Sequence, residues 1–498
     1  MIERHLVMHP KKIFKFVFSI VLVISICASL YGLYKPLPKG ISVNGKYHDV
    51  TNVEFLNDLT YQKDGKIVHE QEIFNRVYKM IDEAEEFILV DVFLFNDEYE
   101  RIVEQTQTIP EEISTNVKSV NYPNISEQLT NHLILKKQQE PDIEIIFITD
   151  EINTFYGSYS SHFIEELKEN DVKVVYTDLT KLRDSNPIYS GFWRSFLQWF
   201  GTSDRGWITN PFSLDSPDVS LRSYLELINF KANHRKVVLT DKEAIVSSAN
   251  PHDPSGYHSN IAFVLQGEIL QDIFEAERAV AKLSGTEIKN RQFTGNSGKE
   301  RGKIKAKVIT EGEIGKEIQQ NILNTSNGDE IKLGVFYLSD RNVIESLVKA
   351  AEKGVKIKVI LDPNKDAFGR KKNGIPNRQV ANELLNKGNG NIEVRWYDTQ
   401  GEQFHSKFLM INKKHETIVT GGSANFTRRN IRDYNLEMNI QFIIPHGEAL
   451  EIEMNSYFSK IWNNEDGQFT VDYKKYQDDS KWKKVLYRVQ EFTGLSTY

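Results

Sequence analysis

The sequence predicts an α/β protein built from two tandem copies of one unit, behind an N-terminal transmembrane helix. Three observations carry this expectation. Five strand-like segments recur in the same order in both halves, helix-patterned stretches separate many of them, and one long uncharged run opens the chain. Strands alternating with helices imply a largely parallel core sheet in each copy. At 498 residues the chain has room for roughly two to four folded units. Its 62 Lys+Arg against 69 Asp+Glu leave a net charge of −7, which argues against a protein that coats nucleic acid. Hydrophobic residues at 40% and charged residues at 26% fit a folded chain. A single cysteine, Cys27, excludes an intramolecular disulfide and a Cys-rich zinc site.

The first element is the anchor, and residues 1–40 comprise a basic tail and this span. Phe16–Tyr34, FVFSIVLVISICASLYGLY, has 19 residues and no charge. At ~1.5 Å per residue it reaches roughly 28 Å, the hydrocarbon thickness of a bilayer. Arg4, Lys11, Lys12 and Lys15 precede it, against Lys35 and Lys39 after it. The positive-inside rule then predicts a single-pass protein of the cell membrane with its tail in the cytoplasm and the remaining residues outside. A signal peptide cut before Ala28 is the alternative; a lipoprotein Cys27 is poorly served by the bulky Ile26 before it.

The repeated units follow. Phe87–Asp97 parallels Ile331–Asp340, Asp142–Asp150 parallels Val355–Asp362, and Asp171–Asp178 parallels Asn391–Asp398. Asn233–Asn250 then matches Phe404–Asn425, and Asn260–Gly267 matches Asn435–Phe442. These set a first domain at 65–284 and a second at 303–498, joined by the polar linker 285–302. Residues 182–231 interrupt the first copy with an aromatic insertion that includes Phe192, Trp193, Phe196, Trp199, Phe200 and Trp207. That composition suits a membrane-interface segment or a substrate-pocket wall, and equally a small satellite core. Glu451–Tyr498 is charged and helix-prone, which suits a helix packed on the second half.

Chemistry enters through two matched triplets, His234-x-Lys236 and His405-x-Lys407. Each starts a strand-like run and is followed by a small-polar turn, Ser248-Ala249-Asn250 or Ser423-Ala424-Asn425. Alone, such a triplet is a surface His beside a Lys; paired at equivalent positions with both turns, it reads as a site. A neutral imidazole can attack phosphorus, and a protonated one can return a proton to the leaving alkoxide. Lys236 and Lys407 would neutralise the non-bridging oxygens, with donors from Asn250, Asn425, Ser248 and Ser423. One site between two half-sites, across a pseudo-two-fold axis, is expected. No His/Asp/Glu spacing suggests a metal site, so neither metal nor cofactor is expected.

These motifs resemble the phospholipase D superfamily, defined by duplicated HxKxxxxD motifs, over roughly Gln71 to Trp462, and most nearly its bacterial cardiolipin synthase-like and phospholipase-like membrane proteins. The resemblance implies a phosphohistidine on one motif His, with His234 the usual nucleophile and the other His the acid. The acceptor would be water or an alcohol, and the substrate a phosphatidylglycerol-like phospholipid in a membrane. It adds Asp241, which completes the first motif, and Glu437, an acidic residue that orients a motif His. Two departures stand out. Asn412 replaces the second motif's Asp, and Asn260-x-Ala262 stands where the second half has Asn435-x-Glu437, with Asp253 a speculative substitute. Whether Glu437 orients His405 or, across the interface, His234 is left open. Asp150 and Asp362 end equivalent strands and suit capping more than ligand contact. Arg428-Arg429 offers a second phosphate contact, and His252 and His258 lie near the first turn. The resulting expectation is a membrane-anchored phosphatidyltransferase or phospholipase. A nuclease of the same superfamily and a non-catalytic membrane scaffold are the alternatives, and no nucleic-acid partner is expected.

Overall fold

The computed structural model describes residues 10–97, 122–212, 216–293, 302–367 and 370–496. The apolar run forms the end of a 25-residue helix, Pro10–Tyr34, long and apolar enough to cross a membrane.

Two sheets form the body. The first has eight strands in the order Lys66–Glu70, Val53–Lys63, Asn260–Leu265, Ala244–Ser247, Lys236–Thr240, Phe87–Val92, Glu144–Thr149 and Lys173–Tyr176. The second has nine: His48–Val50, Ile304–Thr310, Met438–Pro445, Glu416–Gly422, Lys407–Asn412, Glu330–Val335, Lys356–Leu361, Ile392–Tyr397 and Thr470–Asp472. Seven consecutive places correspond, from Val53–Lys63 and Ile304–Thr310 at one end to Lys173–Tyr176 and Ile392–Tyr397 at the other. In each sheet three neighbouring strands run parallel through helical crossovers, and the strand after the His-Lys triplet pairs antiparallel with the first of them.

The sheet order corrects the expected start of the first unit at 65. Val53–Lys63 pairs with Asn260–Leu265 inside the first sheet, so that boundary cuts the hairpin Val53–Lys63/Lys66–Glu70. The stretch before it crosses over: His48–Val50 edges the second sheet against Ile304–Thr310. The linker expected at 285–302 lies partly outside the described residues.

Period-2 patterning decides the layers. Phe87, Leu89, Val237, Leu239, Ile261 and Phe263 of the first sheet share one core with Phe408, Met410, Val419, Ile440 and Phe442 of the second. The alternate residues, Ile88, Val90, Val238 and Ala262, pack beneath helices Ile73–Glu83, Ile125–Gln139 and His162–Glu169. Ile331, Leu333, Val359 and Leu409 do the same beneath helices of the second half. A Cβ on Gly421 would lie 2.9 Å from both Ile261 and Phe263, so the two sheets meet closely there. The face-to-face contact fixes the two halves, and therefore their histidines, against each other.

Candidate functional site

Each histidine begins a strand at the end where the parallel strands finish. Asp150 and Asp362, which follow two of those parallel strands, hold the approach. Asp150 accepts from the N–H of Ile152 (2.8 Å) and Asn233 (2.7 Å); Asp362 accepts from the N–H of Asn364 (2.7 Å) and Phe404 (2.9 Å). Both carboxyls are therefore positioning groups for the residue before each histidine. Burial raises Asp150 to about 7 and Asp362 to about 6, against the pull of those N–H donors.

The histidine segments then cross to the opposite half. The His234 N–H donates to the Leu436 carbonyl (2.9 Å), and the Leu436 N–H returns to Ala232 (3.0 Å). In the mirror contact the His405 N–H donates to Ser259 (2.9 Å), and the Ser259 N–H to Gln403 (3.0 Å). Each histidine thereby lies beside the other half's polar strand entry. His234 Nδ1 meets Glu437 Oε1 at 2.9 Å, and His405 Nδ1 meets Asn260 Oδ1 at 3.1 Å. A carboxylate only accepts, so His234 carries its proton on Nδ1. The Asn260 Nδ2 donates to the His258 carbonyl at 3.1 Å, which fixes its Oδ1 as the acceptor toward His405. In both rings Nε2 is left for chemistry.

The question of which histidine Glu437 serves is thus answered across the interface: it serves His234. The partner of His405 corrects the expected pairing of Ala262 with Glu437. Ser248 bonds Ile261 through its N–H and its Oγ (2.9 and 3.0 Å), as Ser423 bonds Met438 (3.0 and 3.0 Å). Asn260 therefore matches Glu437, and Ala262, opposite Ser247, matches Asn439, opposite Gly422. Ser248 and Ser423 support the orienting residues: the Ser248 Oγ donates to Asn260 Oδ1 (3.0 Å), and the Ser423 Oγ to Glu437 Oε2. Asn430, absent from the expected set, also donates to Glu437. Asp253 instead accepts from the Ser126 N–H at 2.9 Å.

Around the rings the symmetry continues. Phe93 stacks edgewise on His234 at 5.0 Å with the Lys236 Nζ 5.4 Å from its centroid; Phe336 and His405 lie 5.1 Å apart with the Lys407 Nζ at 5.4 Å. Lys236 donates to the carbonyl of His234 at 2.8 Å, and Lys407 to that of His405. Asn250 and Asn425 follow the two serine turns, each with a buried Oδ1 that has no hydrogen-bond partner among the described residues.

Burial sets the electrostatics. It lowers His234 to about 4 against the opposing pull of Glu437, with Lys236 and Lys407 acting in the same direction as burial. It drives His405 well below the ordinary imidazole value, aided by Lys407 and His258. Lys236 falls to about 7 and Lys407 well below the lysine range, again through burial first. Two buried imidazoles and two buried amines, with the Glu437 carboxylate bonded to only one of the rings, make a receptor for negative charge.

Other expected members fall away. Asp241 lies at the far end of the strand from Lys236, five residues or ~16 Å along an extended chain. Its Oδ1 accepts from the N–H of Glu85 (3.0 Å), Glu86 (3.2 Å) and Phe87 (3.4 Å), a structural clasp. Asn412 keeps the equivalent place and accepts from the Thr417 Oγ1 at 3.2 Å, so its lost charge does not touch the site. Arg428 and Arg429 hold the C-terminal segment: the Arg428 N–H donates to Glu491 (3.0 Å), and Arg429 to Gly494 (2.9 Å) and Ser496 (2.5 Å). His258 stands 5.8 Å from His405, whereas His252 is joined to Ser255 at 2.7 Å. A cavity of about 660 Å³ beside Tyr156, Trp199 and Arg222 is lined by neither histidine.

Residues 318–462 match the family model described as cardiolipin synthase, PLD-like domain. The whole body superimposes on a phosphatidylserine synthase from Haemophilus influenzae Rd KW20, with a TM-score of 0.56 at 10% identity, covering 91% of this chain and 96% of that one. By sequence the likeness to a cardiolipin synthase, PLD-like domain lies in the second half of the chain. Nuc from Salmonella typhimurium, described as a phospholipase D family member, aligns at 20% identity over 33% of this chain and 97% of its own, with a TM-score of 0.26. No curated protein matches by sequence. The match to the H. influenzae enzyme is one of fold.

Proposed function

We propose that this phospholipase D-like protein is a membrane-anchored phosphodiesterase or phosphatidyltransferase acting on a phosphatidylglycerol-like phospholipid. The crossed pair of histidines is the observation that carries the reading: His234 on Glu437, His405 on Asn260, with Lys236 and Lys407 beside them. The matching family model, described as cardiolipin synthase, and the phosphatidylserine synthase of like fold support a phospholipid substrate.

In this reading the bound phosphodiester anion favours uptake of a proton that makes His405 an imidazolium; His234 Nε2 then attacks phosphorus while the leaving alkoxide takes the proton on His405 Nε2. A phosphohistidine forms and the first alcohol departs. The now-neutral His405 takes a proton from the incoming water or alcohol, whose oxygen attacks phosphorus and releases His234. The carboxylate of Glu437 favours the cationic character that His234 acquires on attack. The ammonium forms of Lys236 and Lys407 and the amides of Asn250 and Asn425 stabilise the non-bridging oxygens. The span Pro10–Tyr34 supplies the anchor, and the basic residues before it favour an extracytoplasmic body.

The test incubates purified protein with phosphatidylglycerol, with and without added alcohol, and separates the lipids. New phosphatidyl esters that depend on the alcohol indicate transfer; phosphatidic acid alone indicates hydrolysis. Unchanged lipid under both conditions would overturn the reading.

A further inference from the structure

The C-terminal helix Lys481–Thr493 presents two unlike faces. Inward, Tyr487 and Glu491 are buried: the Arg341 guanidinium donates to the Tyr487 hydroxyl at 2.8 Å, and Glu491 accepts from the Ser339 hydroxyl (2.8 Å) and the Arg428 N–H (3.0 Å). Outward, Trp482, Val485, Val489 and Phe492 recur at i, i+3, i+7 and i+10 and so share one stripe. All four are more than half exposed, Phe492 at 84%. Lys481 and Lys484 border that stripe, as does Arg488, which also pairs with the buried Glu383 at 3.0 Å, and among the described residues no acidic side chain lines this face. An exposed apolar stripe edged with cations suits the boundary between acyl chains and anionic headgroups.

Its position supplies the second argument. Glu491 grips the loop that begins three residues after Asn425, so the helix lies at the end of the sheets that carries the site. A Cβ on Gly494 would lie 2.0 Å from the Ser185 carbonyl, so the helix end abuts the aromatic insertion. The insertion in turn packs on the N-terminal helix. The Asp184 N–H donates to Gly32 (3.0 Å), Arg194 donates to the Ala28 carbonyl (2.9 Å), and a Cβ on Gly191 would lie 2.2 Å from the Ser29 Oγ. Ile188, Trp199 and Trp207 of that insertion are each at least 70% exposed. Span, insertion and C-terminal helix therefore form one continuous surface.

We propose that Lys481–Thr493 lies in the headgroup plane of an anionic phospholipid bilayer, on the side where the N-terminal helix emerges. The span and the C-terminal helix then hold the His234–His405 end of the body against the lipid from two directions. This rests on reading Pro10–Tyr34 as a span, and the test separates the two. The full-length protein is reconstituted into phosphatidylcholine vesicles, with and without phosphatidylglycerol, containing lipid spin-labelled along the acyl chain. The native, exposed Cys27 carries a fluorophore to report on the span. In a Cys27→Ser background the same fluorophore is placed at Val489→Cys or, as a control, at Lys414→Cys in the turn at the opposite end of the Lys407 strand.

The expected result is quenching at 27 and at 489, several-fold greater at 489 than at 414. The quenching at 489 falls when Lys481 and Lys484 are changed to Glu, in the phosphatidylglycerol vesicles above all. Quenching at 27 with 489 no more quenched than 414 overturns this inference alone. No quenching at 27 overturns the anchor. Energy transfer between labels at 489 on two copies, with no lipid quenching there, assigns the stripe to self-association and also overturns it.

Discussion

His234 and His405 are both held by Nδ1, but one faces a carboxylate and the other an amide oxygen. The backbone around them is nearly the same: matching bridges to the opposite half, matching serines, matching phenylalanines at 5.0 and 5.1 Å. Chemistry has diverged where geometry has not. A carboxylate partner favours the imidazole that gains positive charge as it attacks, while an amide partner leaves its imidazole readier to release a proton. The difference supports the proposal that His234 attacks and His405 transfers the proton, and the following experiments can break or refine it.

The largest effect is expected from the histidines themselves. His234→Ala and His405→Ala should each lower turnover by roughly 10²–10⁴-fold, the range for losing a nucleophile or a positioned acid. With a nitrophenolate ester, whose leaving group needs no proton, His405→Ala should still build a phosphoryl adduct on His234 and then stall. Acid quench and mass spectrometry locate the adduct; finding it on His405 would exchange the two roles.

Next come the partners. Glu437→Gln should cost about 10–100-fold, less than removal of His234, because the ring keeps its place and loses only its counter-charge. Asn260→Asp makes the halves alike. It should raise the His405 pKa and move the limb of the pH–rate profile that reports the acid toward higher pH, with a smaller change in rate. An unmoved profile would mean that the amide is not what distinguishes His405.

The paired lysines give a subtler signature. Burial lowers Lys236 to about 7, which leaves it mostly neutral at pH 8. An anion between Lys236 and Lys407 favours their charged forms, so binding must take up protons. Calorimetry of orthovanadate binding at pH 8 in two buffers of different ionisation enthalpy should show that uptake, and Lys236→Met should reduce it. The sign for stability follows: the folded pKa lies below the unfolded ~10.4, so the unfolded chain binds more protons between pH 7 and 10 and stability rises with pH across that window.

The smallest effect belongs to Asp241. Asp241→Asn weakens three N–H contacts and should cost about 1–2 kcal/mol in stability while leaving turnover unchanged. A loss of turnover without loss of stability would return it to the site.

Much of this arrangement is legible in the sequence because strands advertise themselves. The β-branched runs ending in Asp150 and Asp362 and the two His-x-Lys triplets are local patterns that the duplication reinforces. Asn260 escaped for a physical reason. Aligning Asn260 with Asn435 shifts the strand by two residues, and a shift of two preserves the in-out alternation, so the hydrophobic pattern gives no warning. The hydrogen bonds of Ser248 and Ser423, with the strand pairing beside them, reveal the true register. Val53–Lys63 escaped because it shares little sequence with Ile304–Thr310, its counterpart by place in the sheet. Asp241 was open to arithmetic: five residues of extended strand separate it from Lys236 by far more than a side chain can reach. The crossing of partners between halves is a long-range contact, and no local pattern encodes it.

The reciprocal bridges at Leu436 and Ser259 also bear on how the two copies are free to change. Were the halves separate, identical subunits, one gene position would write both orienting residues, and a carboxylate lost from one seat would be lost from both. Joining the copies in a single chain gives each seat its own codon. Position 260 can then drift to asparagine while 437 stays glutamate, and covalent linkage becomes the condition for a division of labour that a symmetric pair could never inherit.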